Sequence, residues 1–240
     1  MRIDIWSDVV CPWCSIGKRR LEAALAEFPG RDEVEVVFHS FLLDPSAPTE
    51  PTEPTGTALQ NLARKYGLTL AQAAEKQSAV IAVAAELGMD WTRHHESPHV
   101  GTFDAHRLLH LALAESGPAR QAALKDALLQ AYFGDARNVA DHAVLSEVAA
   151  AAGLDAGRVV EVLAGDEYAG AVAADIAQAR AYGATGVPFF VIDQRYGVSG
   201  AQPVDTFRQV LDRAWADTHP AIEIVSGDDA DACGPDGCPI

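Results

Sequence analysis

Cationic side chains are scarce in this sequence: 18 lysines and arginines stand against 34 aspartates and glutamates, a net charge of −16 over 240 residues. A surface of that sign repels phosphate backbones and anionic lipid, which argues against nucleic acid and membrane surfaces as partners. Long apolar runs are also missing, and no stretch approaches the roughly 20 uninterrupted apolar residues of a membrane span. Hydrophobic residues still make up 49% of the chain, so a chain of this length can bury an ordinary globular core. The opening MRIDIWSDVV has a single basic residue, an early Asp4 and no continuous apolar segment. It reads as a folded strand rather than a signal peptide, and the expected location is the cytoplasm.

Cysteine is confined to two places. Cys11 and Cys14 form one pair, Cys233 and Cys238 another, with none between. In a chain without an export signal, such pairs point to redox chemistry or metal ligation rather than to a structural disulfide framework.

The residues between them are ordered in blocks. Residues 2–7 alternate, with Ile3 and Ile5 on one face, and 34–42 (VEVVFHSFL) is a β-branched and aromatic run, so both read as strands. Between them Ile16, Leu21, Ala24, Leu25 and Phe28 recur at helical spacing up to the PGRDE loop, giving a β-α-β unit whose helix begins at the cysteines. The proline-rich DPSAPTEPTEPTG then interrupts regular structure. From Thr57 to about Tyr182 the periodicity predicts roughly six or seven Ala-rich helices. Strand character returns at Pro188 to Asp193 and Tyr196 to Gly200, a hairpin, and a last helix from Pro203 to Asp217 buries Val204, Phe207, Val210, Leu211 and Trp215. The expected organisation is an α/β domain made of residues 1–50 and 183–220, an all-helical insertion over 56–182, and an acidic tail over 221–240.

A CxxC pair can be a redox centre, half of a zinc site, or two buried small hydrophobes. The helix start favours the first reading. A thiolate at a helix N-terminus faces unpaired N–H groups and the positive end of the dipole, which lowers its pKa. Cys11 is placed there as an exposed nucleophile, and Cys14, one turn on, is in reach of a mixed disulfide at Cys11. Pro12 suits the first helical turn, and Trp13 brings no charge but offers an apolar platform. At the far end of the chain, Val187-Pro188 opens a strand where proline invites a cis turn, leaving the Val187 backbone free to pair with an extended substrate. A zinc site needs two more ligands. Its sharpest form joins the tail cysteines to His94 and His99, but no metal is the expected state. His106, one turn from His110, reads as a polar contact or a lid residue, and His39 as a core-edge side chain. Met89, Trp91 and Phe103 suit a lid lining or plain core.

The order strand, CPWC, helix, strand, helical block, Val-Pro, hairpin and terminal helix is carried by WSDVVCPWCSIGK, TFDAHRLLHLA, the GLD after the alanine run, and GVPFFVID with YGVSGAQP. Over nearly the whole chain it resembles the DsbA family of thioredoxin-fold proteins, and within it the FrnE-like branch of dithiol-disulfide and polyketide-pathway isomerases. The resemblance implies a thioredoxin fold with a large helical insertion, a cis Pro188 packed against Cys11 and Cys14, Cys11 as nucleophile, and the helical block as a lid. It also implies thiol–disulfide exchange with protein or low-molecular-weight thiols and disulfides, without a bound cofactor, glutathione entering only as a co-substrate. Kappa-class glutathione transferases and chromene-carboxylate isomerases share the fold but typically carry serine where Cys11 stands and lack the second cysteine. With both thiols present, redox exchange ranks ahead of a glutathione-dependent isomerase or transferase acting on an aromatic substrate, and ahead of a non-catalytic zinc protein.

Cys233 and Cys238, in CGPDGC, lie among Asp228, Asp229, Asp231 and Asp236, where Gly and Pro allow a small disulfide loop. They suggest a second redox pair. From Pro220 the chain reaches about 40 Å to Cys233 at about 3.3 Å per residue, enough to visit Cys11. If these thiols relay electrons, trapping followed by mass-spectrometric mapping recovers Cys233 or Cys238 linked to Cys11. Recovery of the tail thiols only apart from Cys11 excludes the relay.

Overall fold

The computed structural model describes residues 1–48 and 56–220. β1 (Arg2–Ser7), α1 (Pro12–Ala26) and β2 (Glu35–Ser40) form the first unit, with β1 and β2 parallel. β3 (Phe189–Ile192) pairs antiparallel with β1 and with β4 (Tyr196–Ser199), giving the sheet order β2-β1-β3-β4. The period-two pattern then sorts side chains by face. Ile3 and Ile5, registered against Ile192 and Phe190, pack with Leu21, Ala24 and Phe28 of α1 and with Phe207, Leu211 and Ala214 of α8 (Val204–Thr218). Trp6, Phe189 and Val191 face the other way, onto Ala179 of α7 (Ala169–Ala181). This is a DsbA-like thioredoxin fold: a mixed four-stranded sheet between helices.

The helical block comprises α2 (Ala58–Tyr66), α3 (Leu70–Glu86), α4 (Phe103–Leu129), α5 (His142–Ala151), α6 (Ala156–Ala164) and α7. Its starts are written locally. Thr57 with Gln60, and Thr69 with Gln72, close capping boxes on α2 and α3, while the Asp141 and Asp155 carboxylates accept the first N–H groups of α5 and α6. Its own core gathers Leu108, Leu111, Leu124, Leu128, Phe133 and Val139, and it includes Val9 and Ile16, which flank the cysteine motif. The motif is therefore wedged between two cores.

α4 is the element that joins them. Gly117, at φ 79°, bends the helix sharply before Pro118, a conformation that favours a residue without Cβ. A straight helix would hold residues 106 and 125 about 28 Å apart. After the bend, the Gln121 amide accepts from Phe38 N–H at 2.9 Å and donates to Phe38 C=O at 2.8 Å. It thus supplies edge strand β2 with the hydrogen bonds a neighbouring strand would have made. From the first half of the helix, His110 lies 3.1 Å from the Ser40 hydroxyl.

A buried ionic network pins α4 and α7 to the sheet. His39 donates from Nδ1 to Asp175 at 2.8 Å and from Nε2 to Asp4 at 2.7 Å. The other Asp175 oxygen accepts from Ser40 N–H at 2.7 Å and pairs with His110 at 2.9 Å. The ring of His39 stacks on Trp6 at 4.5 Å, and the Trp6 indole donates to the Asp175 carbonyl. His39, expected at the edge of the core, is thus the centre of a four-element junction. The sequence could not show this, because its partners are 35 and 136 residues away along the chain.

Burial opposes the charge on His39, but its bonds to Asp175 and Asp4 outweigh burial and raise its pKa from 6.5 to about 9. Asp175 is held well below the usual carboxylate range, against burial, by His110 and His39. A group whose folded pKa lies above its unfolded value contributes its full stability below the unfolded pKa and loses it as pH rises through the folded one. Stability is therefore expected to fall by on the order of 2 kcal/mol between about pH 6.5 and pH 9, read as a drop in the urea midpoint. His39→Gln should flatten that slope; an unchanged slope would refute the assignment.

Candidate active site

Cys11 is the N-cap of α1, with extended backbone angles, and its carbonyl accepts the N–H groups of Cys14 and Ser15 at 3.0 and 3.3 Å. Pro12 occupies the first helical position, where its missing N–H costs nothing. The helix start thus sits at the CPWC motif. Val187-Pro188 is cis, and the Cys11 thiol points at the Val187 carbonyl, 3.7 Å from Sγ. The topology has brought together residues 176 positions apart. Both thiols are free and each residue is only 3% exposed. The expectation of an exposed Cys11 is corrected here: the Val187 carbonyl lies against its thiol, and the motif meets solvent through Trp13, which is 44% exposed. Leu43 adds a second exposed apolar side chain on the loop after β2.

Gly17 sets how closely the Val187-Pro188 turn approaches α1. A Cβ there would lie 3.0 Å from Pro188 Cγ, 3.2 Å from Phe190 Cζ and 3.4 Å from the Ala201 Cα. Met89 closes over the same helix, its sulfur 3.5 Å from the Ser15 hydroxyl. Trp91 is core, stacked on Phe133, and Phe103 is half-buried at the start of α4.

Beneath the thiols lies a charged floor. Asp8 is buried, and its carboxylate accepts from Val9 N–H and Leu43 N–H, both at 2.7 Å, and meets His106 Nε2 at 3.3 Å. Burial opposes its charge, yet His106 above all, with Leu43 N–H and Thr102, holds the carboxyl below its ordinary range. His106 is 1% exposed. It is therefore part of this floor, the polar contact of the two expected roles rather than a lid residue, and burial lowers its pKa. Burial pushes the Cys14 thiol well above its ordinary value, and its hydrogen bond with Cys11 adds to this, while the charge of Lys125 pulls it down.

The other histidines are engaged separately. His94 pairs with the Ser97 hydroxyl among Trp91, Tyr132 and Phe133, its pKa pushed down to about 4 by burial, and His99 lies 3.0 Å from Asp44. Among the described residues no group of three or more His, Cys, Asp or Glu side chains is arranged to hold a metal ion. Cys233 and Cys238 lie outside the described residues. Also among the described residues, no helix is long and apolar enough to cross a membrane.

Three residues of the site escaped the sequence reading: Asp8, Gly17 and Lys125. Lys125 did leave a trace, because it sits with Gln121, Leu124 and Leu128 on the buried face of α4, a polar interruption of an apolar stripe.

The DSBA-like thioredoxin domain matches residues 2–212. The chain belongs to that family, one of thiol–disulfide oxidoreductases and isomerases. The crystal structure of the probable DsbA oxidoreductase SCO1869 from Streptomyces coelicolor is 46% identical, with a TM-score of 0.83 over 100% of this chain and 99% of that one. The cytosolic disulfide reductase DsbM from Pseudomonas aeruginosa, solved with GSH, shares the fold at 19% identity and a TM-score of 0.62, covering 89% of this chain and 98% of that one. A 2-hydroxychromene-2-carboxylate isomerase shares it at 12% identity and a TM-score of 0.65, covering 91% and 98%.

In this DsbA-family chain, Gly17→Ala should overpack the contact between α1 and the Pro188 turn and cost about 1–3 kcal/mol. A thermal midpoint lower by a few degrees, about 2–4 °C per kcal/mol at this size, would register it. An unshifted midpoint would show that the turn gives way freely.

Proposed function

We propose that this protein catalyses thiol–disulfide exchange through Cys11 and Cys14. The observation that carries the reading is the meeting of the Cys11 thiol, at the start of α1, with the carbonyl of Val187 from the far end of the chain. An extended segment pairing with the Val187 backbone would present its own sulfur to Cys11. Trp13 and Leu43 offer apolar contact to what flanks that sulfur.

In the forward direction the Cys11 thiolate attacks one sulfur of a substrate disulfide, forming a mixed disulfide and expelling the other sulfur as a thiolate that takes a proton. Cys14 then attacks Cys11 Sγ, closing the Cys11–Cys14 disulfide and releasing the second substrate thiol. Two electrons pass from the protein dithiol to the substrate. A low-molecular-weight thiol such as glutathione restores the dithiol, which sets the protein to work as a reductase or isomerase in the cytosol. Both protein and small-molecule disulfides fit this scheme, and no bound cofactor enters it.

An insulin-reduction assay tests the reading. Cys11→Ser should abolish turnover, whereas Cys14→Ser should stop at an isolable mixed disulfide on Cys11. Full activity in both variants would overturn it, and activity surviving in Cys14→Ser alone would favour the glutathione-dependent isomerase or transferase reading. Because burial raises the Cys14 thiol, resolution of the mixed disulfide should accelerate about tenfold per pH unit through neutrality. A flat profile would show that Cys14 is not the resolving group.

A further inference from the structure

Two buried lysines approach the cysteine motif, and they are treated differently. Lys18, one turn beyond Cys14, forms ion pairs with Glu22 and Asp126. Lys125, 1% exposed on the second half of α4, has no hydrogen-bond partner for Nζ among the described residues. The ring of Phe38 from β2 lies 5.9 Å from Nζ, and it meets a cation favourably but does not replace a counter-ion. A buried ammonium without an anion is costly to maintain, so its retention calls for an anion that exists only part of the time.

The groups that face it narrow the choice. Burial lowers the Lys125 pKa; against it, Cys14 and Cys11 from the start of α1 and Asp8 from the turn before it favour its charge, Cys14 most strongly, while Lys18 opposes it and His106 from the first half of α4 feels it as a repulsion. Asp8 is already occupied, taking Val9 N–H, Leu43 N–H, Thr102 and His106. The anion left for Lys125 is a thiolate. Cys11, as the N-cap, has the positive end of α1 beside it, whereas Cys14 lies a turn inside the helix, so Cys14 is the thiolate that needs a cation.

We propose that Lys125 is the counter-cation of the Cys14 thiolate during resolution of the mixed disulfide. The inference rests on the thiol–disulfide exchange proposed above. In that step the Cys14 sulfur forms the bond to Cys11 Sγ, the bond from Cys11 to the substrate sulfur breaks, and the proton lost by Cys14 ends on the departing substrate thiol. Lys125 stays an ammonium throughout. It lacks a partner in the dithiol state because its partner is then protonated. It acts through Cys14 and touches no substrate, so it is a positioning residue. It also ties resolution to the bend at Gly117, after which the second half of α4 meets α1 through the Asp126–Lys18 ion pair.

The test uses the full chain with both tail thiols removed (Cys233→Ser, Cys238→Ser) and dithionitrobenzoate as the probe disulfide. Attack by Cys11 releases one coloured thiol and resolution by Cys14 releases a second, so the two steps appear as separate phases. In Lys125→Met the first phase should stay within about twofold, while the second slows at least about tenfold at neutral pH and its pH midpoint rises by about one unit. Lys125→Arg, which keeps the charge, should restore the second phase to within about threefold, a rescue that a packing role alone would not give. If the methionine variant fails to fold by circular dichroism, Lys125→Gln carries the same comparison. A second phase unaltered in the neutral variant, or equally slow in Lys125→Arg, would overturn the inference. Absence of the first phase in the parent would instead overturn the functional reading on which it rests.

Discussion

One carboxylate holds the root of the cysteine motif in place. Asp8, buried beneath the thiols, accepts hydrogen bonds from its own turn through Val9, from the loop after β2 through Leu43, and from the start of α4 through Thr102 and His106. An ionised carboxyl is expensive to bury, and what makes it tolerable is this full set of donors. The same donors fix three separate segments with respect to Cys11. The position of the thiols against the Val187 carbonyl follows from that arrangement.

Polar chemistry inside this protein is concentrated where the helical block meets the sheet. His39, Asp4, Asp175 and His110 form one buried system; Asp8, His106, Cys14 and Lys125 form another. α4 contributes to both, and its Gln121 also completes the edge of β2. The helices inserted between the two parts of the sheet are thus wired to it through hydrogen bonds and charges that only one docking geometry satisfies. In the first system every charge has its partner in the resting state, which suits a structural lock. In the second, Lys125 Nζ has none among the described residues, which suits a site whose charge changes during reaction.

Much of the architecture was legible from local pattern. Alternation announced β1, and the unbroken β-branched run announced β2. The prolines and glycines marked the boundaries of the helical block, and Thr57, Thr69, Asp141 and Asp155 stand where helices begin because their side chains satisfy the first free N–H groups. Cys11 and Cys14 with Val187-Pro188 were also legible, since a residue pair at a helix start and a proline at a strand start carry their geometry with them. Solvent exposure was not. Cys11 read as exposed because a helix N-terminus usually is, and it became buried because a turn 176 residues away lies over it. His106 read as a polar contact or a lid residue, and Asp8 made it the former, buried in the floor.

The sequence by itself determined the chemistry available and the elements that carry it: two thiols one turn apart, a strand on either side of their helix, and a proline-led hairpin near the far end. These follow from periodicity, capping and backbone restriction, all of which act over a few residues. The tertiary structure alone decided which charges meet. Asp8, His106, Cys14 and Lys125 are scattered over more than a hundred positions, and the bend at Gly117 brings the two halves of α4 to one place. In a low-dielectric interior, that proximity governs whether a thiol can ionise, and no local pattern encodes it.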